Sequence, residues 1–309
     1  MRIAIHSGLT MRGRVEDVVA EVRKVAEYGL AGYWAPMLTG HDTLTTFAIA
    51  GREVPDVELG TAVVPMPLRP PFALAQQVAT VQEVLKGRLA LGIGPSHEAL
   101  VKDAFGLEWT PPIAATRRYV ERLRAVMTGE DGRRVVIARD PTPILLGAVN
   151  PAMARLAAEV AAGVVTWAAG PRTITEVIRP ALRERPSPSS AQGGPFRIVA
   201  ALPVCVTGDG AGARAHIHRR LGVNDRLPSY RKVLRREGVD GVARLALVGP
   251  PDEVARRLDV FERSGVTDFA AHPLAESDVD TERTWEFLAA RASARQAAGP
   301  EGSGRIDVS

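Results

Sequence analysis

Cysteine is nearly missing from this chain: Cys205 stands alone among 309 residues. One thiol cannot close an internal disulfide or build a cysteine-based metal cluster. The CxxC and HExxH spacings are absent too, so the expectation is organic cofactor chemistry and no metal site. Aromatic residues make up only 5% of the chain, which argues against a base-stacking platform for single strands. Nor is there a basic block. Lysine and arginine number 39 against 35 acids, a net charge of +4, and along 14–28 the two signs alternate as on a solvated helix face. We therefore expect no nucleic-acid partner and a mildly basic cleft for a small anionic ligand. No apolar run is long and charge-free enough to span a bilayer. The start, MRIAIHSGL followed by Met11, Arg12 and Arg14, does not read as a signal peptide. The expectation is no membrane partner and a cytoplasmic location.

What the chain does have is apolar residues, 46% of the total, enough for a sizeable core. They fall into short runs separated by helical patterns. Strands are expected at Arg2–Gly8, Gly32–Ala35, Val57–Val64, Arg88–Gly94, Thr142–Ala148, Gly163–Ala168, Phe196–Val206 and Thr267–Ala271. Between them, Val15, Val18, Val19, Val22 and Val25 recur at helical spacing until Gly29, and Phe72–Leu85, Thr116–Met127, Ala152–Val160, Arg172–Leu182 and Asp252–Arg263 are further helices. Eight strands alternating with helices over this length is the arithmetic of a (β/α)₈ TIM barrel, an α/β fold. A doubly wound sheet is the rival, but its G-x-G-x-x-G fingerprint fails because His97 stands in the third slot after Gly92 and Gly94. The stretch 209–247 reads as an insertion between strands 7 and 8, of the kind that builds part of a binding site. One domain is expected over 1–292. Two Pro/Ser/Gly-rich segments, 185–195 and 293–309, read as irregular, the second as a disordered tail.

The segment VELGTAVVPMPLRPPFALAQQVATVQEVLKGRLALGIGPSH, residues 57–97, resembles the luciferase-like flavin and deazaflavin oxidoreductases. PTPILLGAVNPAMARLAAEVAAGVVTWAAGPRT at 141–173, LPSYRKVLRREGV at 227–239 and GVTDFAAHP at 265–273 echo the branch that uses coenzyme F420, methylene-tetrahydromethanopterin reductases included. The resemblance implies a (β/α)₈ barrel, a homodimer, and a flat tricyclic cofactor at the C-terminal mouth with hydride chemistry at its C5. It also implies a bulge with a non-prolyl cis peptide where Ala62 and Val63 stand.

The candidate site residues follow from where the motifs leave their strands. Gly94, Ser96 and His97 leave the fourth strand, where small residues let a ring approach the backbone. His97 is the candidate catalytic residue: a group titrating near neutrality could protonate a carbanion left by hydride addition, or hydrogen-bond the cofactor. A structural histidine is the plainer reading. Gly147, Ala148, Val149 and Asn150 lead into a helix with Pro151 at its first position, a backbone setting for phosphate. The family has glycine where Asn150 stands, and asparagine tolerates left-handed backbone better than most residues. Arg172 and Thr173 at the next helix start are candidates for the cofactor's anionic tail.

Met37, His41, Trp167 and Tyr230 are the candidate substrate contacts. Alcohol and sugar-phosphate dehydrogenases resembling this chain carry an Asp-His pair at the second strand end, but Pro36 and Met37 stand there. His41 lies further on, beside Asp42, which reads equally as a helix N-cap. The expected function is therefore a reductase carrying hydride from reduced F420 to an electron-poor C=C or C=N bond of a small-molecule or peptide substrate. Candidates are a natural-product or peptide dehydroalanine, or methylene-tetrahydromethanopterin. One alternative is an FMN-dependent monooxygenase; another is a protein that binds a deazaflavin or peptide without turnover.

Overall fold

Runs of branched and small apolar residues bounded by glycine or proline become strands, and each strand is followed by a helix that covers it. The computed structural model of the protein describes residues 1–129, 140–183 and 195–297. Its strands are β1 (Arg2–His6), β2 (Gly32–Ala35), β3 (Glu58–Thr61), β4 (Val64–Pro65), β5 (Leu89–Gly94), β6 (Ile144–Gly147), β7 (Gly163–Trp167), β8 (Arg197–Val206), β9 (Leu247–Gly249) and β10 (Asp268–Pro273). All pairings are parallel, in the order β10-β1-β2-β3-β5-β6-β7-β8, and β10 pairs with β8 to close the ring. This is the eight-stranded (β/α)₈ barrel. No helix among the described residues is long and apolar enough to cross a membrane.

The helices are α1 (Leu9–Arg12), α2 (Val15–Glu27), α3 (Thr43–Glu53), α4 (Pro71–Val84), α5 (Pro112–Thr128), α6 (Pro151–Val160), α7 (Pro171–Thr173), α8 (Arg179–Arg183), α9 (Gly210–Leu221), α10 (Pro228–Glu237), α11 (Val242–Leu245), α12 (Pro251–Arg263) and α13 (Asp278–Ala297). In α2, Val18, Val19, Val22 and Val25 are buried on one face, and Gly29 turns the chain at φ 62°. Proline opens α4, α5, α6, α10 and α12, where its missing N–H removes no helical bond. That is why the helix expected from Thr116 already starts at Pro112.

Two core layers result. Between the strands and the helices lies a continuous apolar shell. Inside the barrel, Ala4, Ala90, Ala201 and Ala270 surround the fully buried Trp34. Gly60 makes room for it: a Cβ there would lie 2.3 Å from the indole. Below Trp34, at the N-terminal ends of the strands, Arg197 pairs with Glu58 at 2.7 Å and with Asp268 at 2.9 Å, and Arg2 pairs with Asp268 as well. The Asp268 side chain is 3% exposed. Burial pushes its carboxyl up, but Arg197 and then Arg2 outweigh that and hold it below its ordinary value.

Three expectations need correction. The third strand is not continuous over Val57–Val64, because the chain bulges between β3 and β4. The excursion at 209–247 runs into a further strand, β9, which starts at Leu247 and whose three residues extend the sheet beside the end of β8. Residues 293–297, expected in an irregular tail, are helical, since α13 runs to Ala297; residues 298–309, and the irregular segment up to 194, lie outside the described residues.

Candidate active site

Side chains at the C-terminal ends of barrel strands converge, and here they line a cavity of about 250 Å³. It collects His6 from β1, Pro36 and Met37 from the end of β2, Ala62 and Val63 from the bulge, Ser96 and His97 after β5, Trp167 from β7 and His272 from β10. Leu221, Asn224, Leu227 and Tyr230 of the insertion cover it, and Arg12 stands at its rim. The volume sits just under the roughly 300–1,000 Å³ typical of ligand clefts, enough for a ring system with any long tail outside. No carboxylate is among the lining residues, and among the described residues no group of three or more His, Cys, Asp or Glu is placed to hold a metal.

The bulge forms one wall. The Ala62–Val63 peptide bond is cis, the pair the resemblance points to. Thr61 stitches the break: its Oγ1 donates to the Gly92 carbonyl at 2.7 Å and accepts from the Gly92 N–H at 2.8 Å. A Cβ on Gly92 would lie 2.0 Å from the Thr61 carbonyl oxygen, and one on Gly94 would lie 3.0 Å from the Val63 side chain. Glycine at both positions is what lets β5 lie against the bulge. Gly147 packs behind it, with room for contact only at 3.6 Å from Val63.

His97 follows Ser96, whose φ of 65° is left-handed, a turn that swings the histidine towards the insertion. Its Nδ1 lies 3.4 Å from the Ser229 hydroxyl and its ring 5.7 Å from that of Tyr230. Burial lowers the His97 pKa, so the ring is neutral near pH 7. Burial also raises the phenol pKa of Tyr230, which stays protonated.

The floor joins the expected contact Trp167 to two residues not among the candidates, His6 and His272. His6 and Trp167 stack with centroids 4.6 Å apart, and His272 meets both edge-on, at 5.3 Å and 5.8 Å. His6 stands in no motif, and His272 lies within GVTDFAAHP at 265–273 without being singled out there. The available signal for both was position, since His6 ends the first strand and His272 nearly ends the last, where barrel side chains face the mouth.

Other predicted residues go elsewhere. His41 is exposed, and its Nε2 lies 3.1 Å from the Gly13 carbonyl oxygen. It ties two loops together outside the cavity, while Asp42 caps α3 by accepting from Thr45 N–H at 2.8 Å. Asn150 is extended, not left-handed, and its Oδ1 accepts from Met153 N–H at 3.0 Å as the cap of α6. Ala168, at φ 50°, is left-handed where Asn150 is not. Ala148 is buried, and Gly147, Ala148, Val149 and Asn150 flank the cavity without lining it.

Arg172 and Thr173 are the clearest departure, because a carboxylate already holds that helix start. Glu237 of α10 accepts from Arg172 N–H at 3.2 Å, from Thr173 N–H at 2.7 Å and from the Thr173 hydroxyl at 2.6 Å. The Arg172 guanidinium donates to the Arg236 carbonyl at 3.3 Å. An anionic tail would meet an acid there.

Comparison with known proteins agrees with the architecture. A family model described as luciferase-like monooxygenase matches residues 2–268. A 5,10-methylenetetrahydromethanopterin reductase from Methanolobus tindarius is 26% identical over 248 residues, 75% of this chain and 74% of that protein. A putative coenzyme F420-dependent oxidoreductase from Mycobacterium tuberculosis is 27% identical over 287 residues, covering 74% of this chain and 82% of that protein. The structure of the coenzyme F420-dependent tetrahydromethanopterin reductase from Methanopyrus kandleri superposes with a TM-score of 0.77 over 96% of this chain and 99% of that one, at 17% identity. At that identity the likeness speaks to the fold.

Proposed function

The chain belongs to the luciferase-like monooxygenase family, and on that premise we propose that it is a coenzyme F420-dependent reductase acting on an electron-poor C=C or C=N bond. The observation that carries the direction is the end of β2. There the buried Met37 enters the cavity and His41 is turned away onto Gly13, so an alcohol has no base waiting at that strand end.

The ring of the cofactor fits and the tail anchor does not. Ala62, Val63 and Pro65 offer an apolar wall, and the bare Gly92 and Gly94 keep that wall where a flat ring can lie on it. The start of α7, filled by Glu237, is unsuited to the tail. At α6, Pro151 has no N–H and Asn150 takes that of Met153, which leaves the Ala152 N–H as the backbone donor for a phosphate.

When bound, reduced F420 supplies a hydride from its C5. The protein's own contribution is to hold the acceptor, exclude water with Met37, Leu100 and Leu227, and deliver a proton from His97 or through water near it. His97 donates as the imidazolium, and burial lowers the pKa at which that form is lost, so turnover through His97 should fall as pH rises through a value below 6.5.

The deciding experiment is a parallel titration with coenzyme F420 and FMN at fixed salt, followed by anaerobic assay of unsaturated acceptors. Preference for the deazaflavin with product formation supports the reductase. Preference for FMN moves the reading to a monooxygenase, the activity for which the family is named, and binding of neither removes both.

A further inference from the structure

The histidine pair on the cavity floor is assigned no part in the reduction above, yet its hydrogen bonding fixes what it can offer. His272 Nδ1 lies 2.8 Å from the His6 carbonyl oxygen. A carbonyl only accepts, so Nδ1 carries the proton and His272 Nε2 keeps a lone pair. His6 is 5% exposed, and its Nδ1 is buried without a partner. Orphaned buried N–H groups are the rarer case, so the proton belongs on His6 Nε2. Neither Nε2 is bonded within the protein or sealed from the cavity that both rings line. The floor thus shows an N–H donor beside a nitrogen acceptor, with ring centroids 5.3 Å apart.

Charge does not disturb the pair. Burial comes first in holding both rings neutral, with His272 lowered to about 4. Arg12 at the rim opposes protonation of either ring.

We propose that His6 and His272 bind an amide edge of the substrate, a carbonyl oxygen beside an N–H, as in a primary amide or a lactam. His6 Nε2–H donates to the oxygen, and His272 Nε2 accepts from the nitrogen. A plain ketone or ester would satisfy only the first, and a carboxylate would set its charge against the His272 lone pair. The assignment deepens the reductase reading and rests on it only in taking this cavity for the substrate's.

The test uses the full chain without cofactor and three probes, benzamide, methyl benzoate and N,N-dimethylbenzamide, titrated by calorimetry. The wild type should bind benzamide about tenfold more tightly than either other probe, equivalent to ~1.4 kcal/mol. His272→Phe should erase that preference while leaving methyl benzoate unchanged, and His6→Phe should weaken all three. The wild-type ranking needs no variant and stands even where a variant fails to fold. Equal affinities, binding of none of the probes, or a preference surviving in His272→Phe overturns the proposal. Coenzyme F420 titrated against the same variants separates the two readings. If F420 does not bind while the benzamide preference holds, the reductase falls and the pair stands. If the variants lose F420 and keep benzamide, the pair belongs to the cofactor and the proposal fails.

Discussion

The two ends of this barrel solve the problem of buried polarity in opposite ways. At the N-terminal end, Arg2, Glu58, Arg197 and Asp268 carry full charges, and each has a partner within 3.3 Å. At the C-terminal mouth, His6 and His272 are buried about as deeply as Asp268, carry no charge, and leave ring nitrogens open. A satisfied ion network holds the strands in register and offers nothing to a ligand. An unsatisfied neutral cluster costs stability and is where a ligand can repay it.

The largest effect should come from breaking the closed end. Asp268→Ala leaves Arg2 and Arg197 facing each other with Glu58 alone between them, and a broken buried pair costs about 3–5 kcal/mol. We expect the lower part of that range because Glu58 remains. Urea denaturation measures it, and cofactor affinity per folded molecule should not change. The opposite pattern is expected of His97→Ala, with turnover falling about 10²-fold and the urea midpoint unmoved. A drop in stability equal to that of Asp268→Ala would erase the contrast between the ends.

Acid should separate the ends along the pH axis. His272 has a folded pKa of about 4 against an ordinary 6.5, so the unfolded chain takes up its proton first. Its contribution to stability is complete above 6.5 and is lost as pH falls from there towards 4. Asp268, held below its ordinary 3.8, contributes fully above that value and is lost only as pH falls through its lower folded pKa. Urea midpoints between pH 7 and 3 should therefore decline in two stages, and His272→Asn should shrink the first while leaving the share carried by His6. The smallest effect belongs to a residue with one local duty. Asn150→Ala removes the cap on Met153 N–H and should cost about 1 kcal/mol, read as a shift in thermal midpoint.

How far the sequence could be read depended on how much of each feature one segment carries. The eight strands were legible because each is a local apolar run with its own stops, Ser96–His97 because the pair leaves one strand end, and Ala62–Val63 because the resemblance over 57–97 implies a bulge there. The bulge split the expected third strand because a change at two residues does not alter the apolar pattern around it. At Arg172 and Thr173 the obstacle is of a different kind. The N–H groups of the expected tail anchor are taken by Glu237, which comes from 64 residues away. Two of the three floor rings stayed hidden on the same ground: Trp167 is among the expected contacts, but His6 and His272 are 266 positions apart.

That separation has a kinetic consequence. β1 finds β10 only when nearly the whole ring is in place, because the pairing spans Arg2 to Asp268 and Ile5 to Ala271. Contacts so distant along the chain form late, after the loop-closure entropy between them has been met. Until then β1 lacks its partner β10, and the native stack of His6, Trp167 and His272 is incomplete. The floor of the cavity is thus a record of ring closure: fluorescence of Trp167 against its two histidines should reach its native value only in the final step of refolding.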